Sequence, residues 1–150
     1  MADDMKAFEE TFCGVWKWDR DENLKETMTR MKYPENETDM YCLMKPTIYI
    51  ERRGDEVYMK FDMGSNIVHD CQFQFGVEFE TKDDLMNSFH NKETATFKDG
   101  VITFKARTQL TGPGKCDTYS EFLIKDGELH TPMSPLDDTS FNGNRIYKRA

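Results

Sequence analysis

From Thr47 onward the chain repeats one device: a short run of alternating residues, a two-residue turn, and another run. Asp99-Gly100 and Asp126-Gly127 each separate two such runs, and Gly54-Asp55 separates a further pair. These dipeptides predict tight hairpins, because the favoured two-residue turns need positive φ at one or both central positions and Gly and Asp tolerate it. The runs are expected over Thr47 to Arg53, Glu56 to Asp62, Ile67 to Phe75, Gly76 to Glu80, Thr94 to Lys98, Val101 to Leu110, Cys116 to Lys125 and Glu128 to Met133, with a last stretch after Asn142. Gly112-Pro113-Gly114 reads as a turn, and Pro132 to Asn142 as a longer loop. An up-and-down sheet of so many antiparallel strands removes its edges by closing on itself, so the expected fold is an all-β barrel.

The first third has a different texture. Residues 1–10 read as a short polar lead with a helical turn near Met5 to Phe8. Phe12, Trp16 and Trp18 fall on one face of an extended segment, and Gly14 between them suggests a close approach or a bend. Asp21 is placed to cap a short amphipathic helix over Glu22 to Lys32, with Leu24, Met28 and Met31 at helical spacing. Pro34 ends it, and a second short helix is expected from about Glu35 to Leu43. The chain is therefore expected to form a single domain, 150 residues being ample for one core.

Charge and composition narrow the function. A net charge of −8 argues against nucleic acid, whose binding depends on neutralising phosphates, and allows at most transient contact with an anionic membrane. No apolar run is as long as a membrane span, and Met1-Ala2-Asp3-Asp4 does not open a signal peptide, so a cytoplasmic monomer is expected. A secreted form without its leader would read the same. Cys13, Cys42, Cys71 and Cys116 are scattered, which favours free thiols. His69, His90 and His130 share no metal spacing with them, and there is no nucleophile elbow, phosphate loop or dinucleotide fingerprint. No catalytic site, metal or cofactor is expected, and hence no enzyme.

One stretch carries binding chemistry. In Asn142-Gly143-Asn144-Arg145-Ile146-Tyr147-Lys148, strand alternation puts Arg145 and Tyr147 on one face and Ile146 on the other. A guanidinium beside a phenol suits a carboxylate. For the motif alone, a solvated Arg145 and a core Ile146 is the simpler reading.

The whole chain, however, resembles the intracellular lipid-binding proteins, that is, the fatty-acid-binding and cellular retinoid-binding proteins. The resemblance runs through Phe12-x-Gly14-x-Trp16-Lys17, Glu22-Asn23-Leu24, Lys45-Pro46, Gly54-Asp55, Phe73-x-x-Gly76-Val77-Glu78-Phe79, Asp83-Asp84, Asp126-Gly127 and Arg145-x-Tyr147, in order. It implies a ten-stranded calycin barrel with a two-helix lid between the first and second strands, holding one small hydrophobic ligand such as a fatty acid. It further implies that Arg145 and Tyr147 bind the carboxylate, with Leu24, Met28 and Phe73 along the cavity. Ser120 falls near the position of a second buried arginine, and Arg107 is the nearest basic residue to replace it. A retinoid carrier, or a protective barrel with little specific ligand, are the alternatives. On this reading Arg145→Leu weakens fatty-acid binding while stability holds or rises.

Overall fold

The computed structural model describes residues 2–64, 67–83, 89–108 and 117–150. Helix α1 (Ala2–Phe12) leads into β1 (Gly14–Glu22), followed by α2 (Leu24–Arg30) and α3 (Glu35–Leu43). The remaining strands are β2 (Thr47–Arg53), β3 (Glu56–Gly64), β4 (Ile67–Phe73), β5 (Phe79–Asp83), β6 (Phe89–Lys98), β7 (Val101–Thr108), β8 (Thr118–Lys125), β9 (Glu128–Pro135) and β10 (Gly143–Arg149). They form one antiparallel sheet in the order β4-β3-β2-β1-β10-β9-β8-β7-β6-β5. Every strand pairs with its sequence neighbours except β4 with β5, and β1 with β10 joins the two halves. The sheet curls into a nearly closed ten-stranded barrel whose two edges, β4 and β5, share no ladder. Aromatic packing bridges them instead, with the Phe73 and Phe79 rings stacked 4.7 Å apart.

The turn residues behave as expected. Asp99 and Gly100, like Asp126 and Gly127, all have positive φ, the signature of a type I′ hairpin. Several boundaries differ from the sequence reading. β6 starts at Phe89, earlier than Thr94, and β9 continues to Pro135, beyond Met133. β4 ends at Phe73, and β5 begins only at Phe79. The expected turn at Gly112-Pro113-Gly114, the starts and ends of strands at Leu110 and Cys116, and Asp84 of the acidic pair lie outside the described residues.

The chain has three helices before β2, one more than expected. The lead forms α1 from Ala2 to Phe12, with Met5, Phe8 and Phe12 on its buried side at helical spacing. Phe8 meets Phe75 edge-on at 5.7 Å, and Phe12 meets Phe97 at 6.2 Å, so α1 plugs one end of the barrel. Side chains from the barrel satisfy carbonyls at and just beyond its end. Trp16 Nε1 donates to Phe12 O at 2.9 Å, while Arg149 donates to Thr11 O and Cys13 O, each at 3.0 Å. Gly14 has a φ of +134°, which a residue with a Cβ rarely adopts, and a Cβ there would also lie 2.8 Å from Nη1 of Arg149.

The other two helices follow the far end of β1, about 26 Å along its nine residues. Asp21 does not cap α2. It belongs to β1, and the residue at the helix start is Asn23, held at a φ of 53° with no side-chain cap. Leu24 and Met28 pack with Tyr33, Tyr41, Cys42 and Met133, a small core separate from that of the barrel. Gly143 lets α2 lie against β10, because a Cβ there would meet Leu24 Cα at 3.0 Å.

Candidate functional site

Arg145 and Tyr147 do share one face of β10, and both are buried, at 3% exposure each. Ile146 on the other face is fully buried too, so burial alone does not choose between the two readings of this stretch. Tyr147 lies within the barrel core, where burial drives its phenol pKa well up, with Tyr41 adding to this and Arg145 opposing it. Arg145 lies beneath α3 and is engaged on every side. Its Nε donates to Asp21 Oδ1 at 2.9 Å, its Nη1 to Tyr41 O at 3.2 Å, and its Nη2 to Met44 O. The guanidinium also sits 5.0 Å from the centre of the Tyr41 ring. Burial works against its charge, but Tyr41, Tyr147 and Asp21 outweigh that and hold the arginine ionised.

The Asp21 partnership comes from a register shift. Trp18 pairs with Tyr147 but Arg20 pairs with Ile146, so Asp19 is an extra residue in β1. Without that bulge Arg20 would oppose Arg145. With it, Asp21 stands across from Arg145 and Arg20 turns outward to form two 3.0 Å bonds to Glu128. The expectation that stability holds or rises when Arg145 is lost does not include these bonds: its removal takes one donor from Asp21 and a donor from each of two carbonyls.

The barrel holds a cavity of about 320 Å³. Its apolar wall is Met59, Phe61, Met63, Phe79, Phe104 and Phe122, and Tyr41 of α3 faces it. His69, Cys71, Thr81, Asn91, Glu93 and Ser120 supply polar atoms, while Asp70 between His69 and Cys71 is exposed and its carboxylate accepts a 3.1 Å hydrogen bond from Tyr58 Oη on the outer face. Of the residues expected to bind ligand, Ser120 lines this cavity. Phe73 stands directly behind it, stacked on Phe79 and edge-on to Phe104 at 5.6 Å. Leu24 and Met28 belong to the lid core, and Arg145 and Tyr147 are not among the lining residues. Arg107 is exposed on the outer face of β7, whose inward residues are Ile102, Phe104 and Ala106, so it does not replace a buried arginine. No Lys or Arg lines the cavity among the described residues.

Glu93 is the residue that the sequence reading missed. It lies on β6 across the ladder from Phe79, half-buried, and accepts a hydrogen bond from the Thr81 hydroxyl. Burial raises its pKa, partly offset by that hydroxyl. Burial, then the charges of Glu93 and Asp70, pushes the neighbouring Cys71 thiol up to about 12, so it is unreactive at neutral pH. Cys13, Cys42 and Cys71 are free, and Cys116 lies outside the described residues. No metal-binding group of His, Cys, Asp or Glu exists among the described residues.

A ten-stranded antiparallel barrel with a helical lid and an internal cavity defines the fatty-acid-binding-protein fold, and this chain has it. Neither a protein-family model nor a curated protein sequence matches the chain. Solved structures do. Echinococcus granulosus fatty-acid-binding protein 1 superposes with a TM-score of 0.78 at 20% identity, covering 94% of this chain and 98% of that one. A Schistosoma mansoni fatty acid binding protein in complex with arachidonic acid gives 0.76 at 20%, with 98% of each chain covered. The fluorescent protein UnaG gives 0.75 at 23%, covering 95% and 99%. At such identities the fold is what is shared. No helix among the described residues is long and apolar enough to cross a membrane.

Proposed function

We propose that this protein binds a lipid-like molecule non-covalently inside its barrel and carries it through water. The observation that carries the reading is the cavity. Its volume of about 320 Å³ lies within the range of small-molecule sites, and aromatic and thioether walls surround a few convergent polar atoms. Met59 and Met63 add adaptable surface that suits a flexible chain. The fold supports the reading, since fatty-acid-binding proteins use the same barrel. Binding and release need no covalent step and no cofactor.

The long-chain carboxylate remains one form of this proposal, with Arg145 and Tyr147 as its partners. It requires a ligand to take Arg145 from Asp21 and from the carbonyls of Tyr41 and Met44. The test of the carrier role itself does not depend on the head group. Ser120→Trp places an indole in the cavity from β8. An uncharged fluorescent lipid should bind the parent with one site and lose about tenfold or more in affinity to the variant, with the circular dichroism of the barrel unchanged. Equal affinity for both proteins would move the site out of the barrel.

A further inference from the structure

Resting on the carrier reading, we propose that the cavity is built for a lipid whose head group donates hydrogen bonds and carries no negative charge, an alcohol or an amine in preference to a carboxylate. The described polar wall is rich in oxygen acceptors. Glu93 projects its carboxyl group into the space, and Ser120 and Asn91 add further oxygens. Thr81 already spends its hydroxyl proton on Glu93. A carboxylate entering here finds no described lysine or arginine in the lining and the carboxyl group of Glu93 facing it. Like charges at such range disfavour each other, and an anion taken from water without a cationic partner is poorly tolerated.

The arginines elsewhere do not repair this. Arg145 is held by Asp21 and by two lid carbonyls, and Arg107 points away from the barrel. A hydroxyl or ammonium head meets the opposite situation. It can donate to the free lone pairs of Glu93, and its bond becomes charge-assisted when either partner is ionised. The half-buried position of Glu93 strengthens the preference, because there is less water to screen it than at the surface.

The test uses the full chain and three ligands of equal tail length: dodecanol, dodecylamine and dodecanoate. Each is titrated against an uncharged fluorescent probe in the cavity at about neutral pH. The alcohol and the amine should displace the probe at concentrations lower than the acid by about tenfold or more, the worth of one charge-assisted bond. Glu93→Gln should narrow the gap from both sides, raising the affinity for dodecanoate and lowering that for dodecylamine. If the parent binds dodecanoate as tightly as dodecanol, the head-group inference is wrong while the carrier reading stands. An unchanged acid-to-amine ratio in Glu93→Gln likewise overturns the role given to Glu93. If none of the three displaces the probe, the carrier reading falls with it.

Discussion

Arg145 shows how a single side chain can be placed by its sequence while its partners are not. Alternation along β10 correctly buried it beside Tyr147, but its partners depend on the extra residue in β1, and nothing in Trp18-Asp19-Arg20-Asp21 marks a bulge. The guanidinium joins three parts of the molecule: β10, the end of β1 through Asp21, and the end of α3 through Tyr41 O and Met44 O. Asp21 retains a second donor, Trp18 Nε1 at 2.9 Å, so the pair belongs to a small network. Arg145→Leu should therefore destabilise the fold by about 2–3 kcal/mol, as measured by urea unfolding. Combining it with Asp21→Asn should cost less than the sum of the two single changes, because the second no longer breaks a pair. A variant as stable as the parent would show that the network contributes nothing. Glu93 was missed for another reason. Asn91-Lys92-Glu93 are poor strand formers, and β6 is held there by pairing with β5 and β7, so no local signal showed which way Glu93 points.

Among the elements, the hairpins were legible because Asp-Gly turns state their geometry directly, and α3 was legible to the residue at Glu35 and Leu43. Helix α1 was read as a lead because charged residues dominate it, although Met5, Phe8 and Phe12 already carried the 3–4 spacing of a buried face. Its contribution is large. Phe8 is fully buried between Phe12 and Phe75, and truncating such a ring leaves a cavity that rigid strands cannot fill. Phe8→Ala should cost about 3–5 kcal/mol in the same unfolding measurement. Lys6→Ala, on the exposed side of the same helix, should change stability little. Should both variants unfold alike, α1 would not be the plug that closes the barrel.

At the scale of the molecule, two quantities set the expected behaviour. A buried methylene contributes about 0.8 kcal/mol, so a tail of about ten contributes about 8 kcal/mol before the cost of association. A head-group bond adds about 1.5–3 kcal/mol. The tail thus decides whether a lipid is held, and the head decides which one, so the carrier claim can be judged apart from the head-group claim. The second quantity is the net charge of −8, which keeps an apolar cargo dissolved within an acidic shell and sets the barrel against anionic surfaces. The central claim is that one lipid-sized molecule occupies the barrel, and native mass spectrometry of the purified protein tests it most directly. The account predicts a single non-covalent adduct per chain, either carried through purification or taken up on adding dodecanol, and absent once the protein is denatured. A spectrum showing only the unliganded mass, before and after lipids of every head-group class are added, would contradict it.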